Sequence, residues 1–81
     1  MPLTRDSLWE YLESKMGLDR SEVADDTLLF SGSVLDSFSM VDLIMFIEQE
    51  SGQRINPTEV SLDNLDSVQR IIKFVESRQN G

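Results

Sequence analysis

Residues 34–52 read VLDSFSMVDLIMFIEQESG, and this stretch predicts a helix from about Asp36 to Ser51. Asp36 is a good N-cap, because its carboxylate can accept hydrogen bonds from the unpaired backbone N–H groups of the first turn. Gly52 suits the left-handed position just past the end of a helix. Ser37 then occupies the first helical position, where we expect its side chain to point toward solvent.

The predicted helix is apolar over a wider surface than a single core contact needs. Only Ser39 and Asp42 interrupt the apolar residues between positions 38 and 47, so we expect the surface to be divided between a core face and an exposed face. On a helical wheel the core set comprises Leu43, Phe46, Ile47 and Glu50. The exposed set comprises Phe38, Val41, Met45 and, further out, Asp42 and Glu48. The exposed set suits binding to enzymes that carry an apolar spot ringed by Arg and Lys. The alternative is that Phe38, Val41 and Met45 are core residues.

We expect Ser37 to be modified rather than catalytic. The chain contains no His and no Cys, and the residues close to Ser37 in sequence are acidic or apolar, so nothing nearby could activate its hydroxyl as a nucleophile. The same absences argue against a metal site and a disulfide framework. Asp25 and Asp26 could in principle act as acid and base, but adjacent loop carboxylates are usually solvated. The sequence therefore does not favour an enzyme.

A first helix is expected to start near Thr4 or Asp6 and to end at Gly17. Its apolar stripe comprises Leu8, Tyr11, Leu12 and Met16. Trp9 lies off that stripe, and we expect it to have a structural role. Residues 18–35 break the helical pattern and predict a long loop held by apolar anchors.

Beyond Gly52, Pro57 can open a short helical turn through Val60. The anchors expected in this region are Ile55, Val60 and Leu62. The last helix is expected to begin near Asp66 or Ser67 and to fade over residues 77–81. Its apolar face comprises Val68, Ile71, Ile72 and Val75, with Phe74 beside it. Three main helices and one short helix predict an all-α, small four-helix bundle with a long loop between helices 1 and 2, formed as a single domain over residues 1–81.

The formal charge of −8 argues against a nucleic-acid partner, because phosphate backbones would repel the chain. No Lys or Arg occurs between Arg20 and Arg54, so one side of the molecule should be strongly negative and should attract basic protein surfaces. The alternative is that the acidity only keeps a small protein soluble. We expect a monomer with transient partners.

The sequence has no run of roughly 18 apolar residues, the length that a membrane span needs. It also lacks an N-terminal stretch of the secretory type. The expected compartment is therefore the cytoplasm.

The segment Asp36-Ser37-Phe38 resembles the phosphopantetheine attachment site of acyl carrier and peptidyl carrier proteins, whose Asp-Ser-Leu-like motif opens the second helix of a small four-helix bundle. The resemblance extends over nearly the whole chain, with further matches at Leu8, Leu12, Met16-Gly17-Leu18, Val68 and Ile72. Residues 34–38 look closer to D-alanyl and other aminoacyl carrier proteins than to fatty-acid carriers, which more often have a small residue before the Asp and Leu after the Ser.

The resemblance implies that a phosphopantetheinyl transferase attaches 4′-phosphopantetheine to the Ser37 hydroxyl, and that the thiol of this arm holds cargo as a thioester. Asp36 would cap the helix beside the site. The other implied partners are a ligase that loads acyl or aminoacyl cargo and a downstream acyltransferase or synthase, each with a basic docking surface. Phe46 stands where fatty-acid carriers commonly have a small residue lining the acyl-chain cavity, which favours a short or polar cargo such as an amino acid.

Without the resemblance, the residues favour a different class of protein. An acidic helical module could bind a basic partner directly through Phe38, Val41 and Met45. Ser37 would then be only a helix-start residue, since Asp-Ser at a helix N-terminus is common by chance. With the resemblance, we favour the carrier.

Overall fold

The computed structural model describes residues 3–80 and the side chains of residues 3–78. Its α-helices are α1 (Arg5–Met16), α2 (Ser37–Ser51), α3 (Leu62–Leu65) and α4 (Val68–Asn80), with a 3-10 turn at Pro57–Glu59. No β-strand occurs in this part of the chain, and the all-α, four-helix prediction is confirmed. Within residues 3–80, no helix has the length and apolar character needed to cross a membrane.

A capping box at the N-terminus and a glycine at the C-terminus determine where α1 begins and ends. The Thr4 hydroxyl accepts a hydrogen bond from the Ser7 backbone N–H at 3.1 Å, and the Ser7 hydroxyl accepts one from the Thr4 N–H at 3.0 Å. Gly17 ends the helix in the left-handed conformation, with φ at 70°. The predicted start at Thr4 and end at Gly17 are confirmed.

The core draws apolar side chains from every helix and from the segments between them. Its buried members are Leu3, Leu8, Trp9, Leu12, Val23, Leu29, Leu43, Ile47, Ile55, Leu65, Val68, Ile71, Phe74 and Val75. Trp9 is fully buried although it lies off the predicted stripe of α1. Its indole N–H donates to the Asp25 carboxylate at 3.0 Å, so the loop covers a second side of α1.

The segment between α1 and α2 is irregular, as predicted, and it is fastened at its middle by Asp25. The Asp25 carboxylate accepts two hydrogen bonds from the Arg5 guanidinium, at 2.7 and 2.9 Å, and its backbone carbonyl accepts one from the Gln69 N–H at 2.9 Å. The hydrogen bond from Arg5 holds the pKa of the Asp25 carboxyl below its ordinary value. Asp26 is exposed. The expectation of two solvated carboxylates is therefore wrong for Asp25, because α1 supplies a cation and an indole donor beside it.

The segment between α2 and α4 differs from the prediction in two respects. The short helix expected from Pro57 to Val60 is a 3-10 turn, and the one-turn helix α3 follows it. The expectation that Leu62 is an anchor is wrong: its side chain is 44% exposed, whereas Leu65 is fully buried. The turn of α3 directs Leu65, three residues later, toward the core instead.

Helix α4 continues to Asn80 instead of fading from Ser77. Of its predicted apolar face, Val68, Ile71 and Val75 are buried, as is Phe74 beside it, whereas Ile72 is only half-buried. The last turns are held by the Arg78 guanidinium, which donates to the Gln53 side-chain carbonyl at 3.2 Å, to the Arg54 backbone carbonyl at 2.6 Å and to the Glu59 carboxylate. Gly81, the last residue of the predicted fading end, lies outside the described residues.

Candidate functional site

Ser37 is the first residue of α2, and Asp36 caps the helix immediately before it. One Asp36 carboxylate oxygen accepts from the Ser39 backbone N–H at 2.9 Å, and the Asp36 carbonyl accepts from the Met40 N–H at 3.1 Å. The hydrogen bond from Ser39 holds the pKa of the Asp36 carboxyl below its ordinary value, so the cap is ionised at neutral pH. The Ser37 side chain is exposed, and an external enzyme can reach its hydroxyl.

The Ser37 hydroxyl lies at the N-terminus of α2, the positive end of the helix dipole. The unpaired N–H groups and the dipole of a helix favour negative charge at its N-terminus. The arrangement can therefore carry an anionic substituent on Ser37 with the backbone of α2 as its electrostatic partner.

An apolar patch lies on the solvent side of α2 and consists of Phe38, Val41 and Met45. These side chains are 81%, 58% and 61% exposed. The alternative that they belong to the core is wrong. Asp42, between them in sequence, is also exposed, so the apolar patch has a carboxylate beside it.

The structure gives Glu48 a different environment from the rest of the predicted exposed set. Glu48 is half-buried, and its carboxylate accepts from the Ile55 backbone N–H at 2.8 Å. It thereby holds the chain that leaves α2. On the opposite face, Leu43 and Ile47 of the predicted core set are fully buried, whereas Phe46 and Glu50 are half-buried.

An open groove of about 600 Å³ runs between α1 and α2. It is lined by Ser7, Glu10, Tyr11, Ser14, Lys15, Asp42, Met45, Phe46, Gln49 and Glu50. The rings of Tyr11 and Phe46 stack across it, with centroids 4.0 Å apart and planes 12° from parallel. Burial, and to a smaller extent the Asp42 carboxylate, raises the pKa of the Tyr11 hydroxyl. The aromatic pair thus forms part of the groove wall, together with charged side chains.

Asp66 is a residue whose importance the sequence does not reveal. It is 1% exposed, and its carboxylate accepts from the backbone N–H groups of Phe30 and Ser31, at 2.7 and 3.1 Å, and from the Ser31 hydroxyl. In the sequence, Asp66 reads as a cap for the last helix. The Ser67 hydroxyl fills that role instead, by accepting from the Arg70 N–H at 3.1 Å.

Two comparisons with known proteins bear on this site. Residues 6–75 match the family model described as the phosphopantetheine attachment site. The chain is also 28% identical, over 67 residues, to the acyl carrier protein of Thermotoga maritima, in a match that covers 83% of this chain and 80% of that protein.

Proposed function

Since this chain belongs to the phosphopantetheine attachment site family, and is therefore a carrier protein with 4′-phosphopantetheine as its cofactor, we propose that Ser37 is the residue that carries the cofactor. This assignment rests on the exposure of Ser37 and on its place at the first position of α2, directly after the Asp36 cap. When bound, the cofactor supplies a terminal thiol that holds cargo as a thioester.

The residues at the start of α2 fit a phosphodiester on Ser37. The hydroxyl is exposed, so no side chain has to leave before a substituent is attached. The helix N-terminus favours the negative charge of the phosphate. The Asp36 carboxylate opposes it, but that carboxylate already accepts the Ser39 N–H.

Partner enzymes dock on the apolar patch of Phe38, Val41 and Met45, with Asp42 as the charged contact at its edge. The exposure of these side chains supports this role, because large exposed apolar residues grouped on one helix face are typical of interaction sites. The partners are a phosphopantetheinyl transferase, a loading ligase for acyl or aminoacyl cargo, and an acyltransferase or synthase that accepts it. Glu48 was predicted in this surface and contributes less, because its carboxylate is engaged with Ile55.

The cargo is short or polar, as in an aminoacyl carrier. The stack of Tyr11 on Phe46 supports this proposal, because the groove between α1 and α2 is open to solvent and the two stacked rings leave no gap between them for an alkyl chain. The charged lining of the groove, which includes Glu10, Lys15 and Glu50, also disfavours a long alkyl chain. A single domain over residues 1–81, a monomeric state and a cytoplasmic location remain predictions from the sequence.

Modification with coenzyme A tests the assignment of Ser37. The purified chain is incubated with coenzyme A and a broad-specificity phosphopantetheinyl transferase, and intact mass is recorded for wild type, Ser37→Ala and Ser39→Ala. We expect one added phosphopantetheine in wild type and in Ser39→Ala and none in Ser37→Ala. Ser39 is the matched control, since it lies in the same helical turn. An added group on Ser37→Ala, or none on the folded wild type, would contradict the proposal.

A further inference from the structure

Asp66 is the one charged side chain that is fully buried among the described residues. Burying a carboxylate is costly unless hydrogen bonds and a counter-charge compensate it. Here the compensation comes from the loop between α1 and α2: two backbone N–H groups and the hydroxyl of Ser31 donate to the carboxylate. The Arg70 guanidinium lies 4.0 Å away. We call this set of hydrogen bonds, between Asp66 and residues 30–31, the Asp66 latch.

The latch is connected to the start of α2 by a short path. The Leu29 N–H donates to the Asp66 backbone carbonyl at 2.6 Å, and the Leu29 carbonyl accepts from the Leu35 N–H at 2.7 Å. The second hydrogen bond closes residues 29–35 into a turn, and the first attaches that turn to Asp66. The next residue along the chain is Asp36, the cap of α2.

The first turn of α2 depends on this connection more than the rest of the helix does. The fully buried side chains of α2 are Leu43 and Ile47, which lie in its middle turns. Ser37, Phe38 and Val41 are exposed. Core packing therefore fixes the middle of the helix, whereas its first turn is held mainly by the loop that enters it.

We infer that Asp66 is a positioning residue for the modification of Ser37, acting through the loop that it holds. This inference rests on the proposed function of Ser37. Asp66 does not contact the Ser37 hydroxyl. It holds the turn of residues 29–35, and that turn sets the position of the Ser37 hydroxyl relative to the apolar patch on which the transferase docks. Loss of the latch misplaces the hydroxyl in an otherwise docked complex.

The steady-state kinetics of the transferase separate positioning from mere stability. A variant that only unfolds part of its population lowers the concentration of usable substrate, so the apparent KM rises and kcat at saturation is unchanged. A variant with an intact apolar patch but a misplaced Ser37 hydroxyl should have an unchanged KM and a lower kcat, because small errors in the position of a reacting group slow the chemical step.

The test compares Asp66→Ala with Asp66→Asn as substrates of the transferase. We expect Asp66→Ala to lower kcat by roughly 10-fold or more with little change in KM. Asp66→Asn should restore kcat, because its carbonyl oxygen can accept both backbone N–H groups and its amide can donate to the Ser31 hydroxyl. Arg78→Met is the control, since it removes the hydrogen bonds that hold the far end of α4 and should leave kcat unchanged.

A second measurement follows the latch directly, by amide hydrogen exchange in NMR spectra. In Asp66→Ala the amides of Phe30, Ser31 and Leu35 should lose protection. The Ile71 amide, which donates to the Ser67 carbonyl at 3.0 Å, should keep it. Unchanged protection of the three loop amides would overturn the latch whether or not the chain can be modified.

The outcomes distinguish this inference from the proposed function. If wild type is modified at Ser37 and kcat is equal in wild type and Asp66→Ala, the positioning role is overturned and the proposed function stands. Equal losses of kcat in Asp66→Ala and Asp66→Asn also overturn it, because Asn preserves the hydrogen bonds. If Asp66→Ala does not fold, Ser31→Ala takes its place: a fall in kcat supports the latch, and an unchanged kcat overturns it.

Discussion

Two aspartates, Asp36 and Asp66, each stand one residue before a serine at the start of a helix, and their carboxylates have opposite surroundings. The Asp36 carboxylate is exposed and accepts from its own helix, at the Ser39 N–H. The Asp66 carboxylate is buried and accepts from residues 30 and 31, far away in the sequence. The difference is possible because Ser67 caps α4 in place of Asp66. One dipeptide therefore presents its serine to solvent, and the other holds the loop that leads to that serine.

The surroundings of Asp66 predict how acid affects stability. Burial opposes its ionisation, but the hydrogen bonds from Ser31 and Phe30 and the charge of Arg70 outweigh burial, and the pKa of Asp66 is held below its ordinary value. A lowered folded-state pKa means that the charged latch stabilises the fold above the unfolded-state pKa, about 4. This contribution is lost as the pH falls through the lower folded-state value.

The prediction is tested by urea unfolding between neutral pH and about pH 3, a range that includes the pKa of an unfolded Asp. At neutral pH, Asp66→Ala should lower the free energy of unfolding by roughly 2 kcal/mol, since it leaves buried donors without their acceptor. In Asp66→Asn no group titrates at this position. The difference in the free energy of unfolding between this variant and wild type should therefore become smaller as the pH falls. A difference that stays constant across the range would show that the charge of Asp66 does not contribute.

At the scale of the helices, α2 was predictable and α3 was not. The two faces of α2 follow from the pattern of apolar residues along its fifteen positions, and its caps follow from Asp36 and Gly52. Helix α3 has four residues, too few for a period to show, and its buried Leu65 and exposed Leu62 are equally apolar in the sequence. The sequence also did not predict that α4 continues past Ser77. Arg78 holds these last turns through partners that are distant in sequence.

The contact between α1 and α2 predicts how the carrier treats alkyl cargo. Removing the Phe46 ring breaks its stack with Tyr11 and opens the space between the two helices. We expect an octanoyl thioester on the wild-type arm to react with hydroxylamine as fast as an acetyl thioester does. In Phe46→Ala the octanoyl thioester should react several-fold more slowly, because the alkyl chain can then withdraw into an apolar cavity.

Val41→Ala is the control for Phe46→Ala, because Val41 lies on the same helix, is exposed and is not among the residues that line the groove. It should leave the reaction rates at the wild-type values. Equal protection of the octanoyl thioester in wild type and Phe46→Ala would contradict the proposal that the aromatic stack excludes long chains. Folding of both variants is checked by circular dichroism, since Phe46 is half-buried.

At the scale of the whole molecule, charge is distributed unevenly. The net charge is −8, and α2 contains acidic residues but no Lys or Arg. The sequence gives this asymmetry by a count of charges along the chain, and a strongly negative side of the molecule stays a prediction. The sequence did not predict which carboxylates are engaged inside the fold: Asp25, Glu48 and Asp66 all hold backbone or side-chain donors. Asp25 and Asp66 pair with residues that are distant in sequence, and Glu48 pairs with Ile55 across the end of α2, so these pairings require the tertiary structure.

The charge distribution predicts that loading of Ser37 depends on salt. We expect kcat/KM for the transferase to fall as the salt concentration rises from about 0.05 to about 0.5 M, because exposed charges are then screened. Asp42→Asn should lower kcat/KM roughly threefold at low salt and have little effect at high salt. Glu76→Gln makes the same change in net charge on α4 and should have a smaller effect. Equal effects of the two substitutions would show that association depends on net charge and not on the position of Asp42 beside the apolar patch.

The burial of Trp9 has an optical consequence. It is the only tryptophan of the chain, it is 1% exposed, and its indole N–H donates to Asp25 at 3.0 Å while the Arg20 guanidinium lies 5.5 Å from the ring centre. Its fluorescence therefore originates at a single place, the contact between α1 and the loop. When the loop leaves α1, water reaches the indole and the emission shifts to longer wavelength. The protein thus carries its own reporter of loop attachment, which can be read in real time without a label.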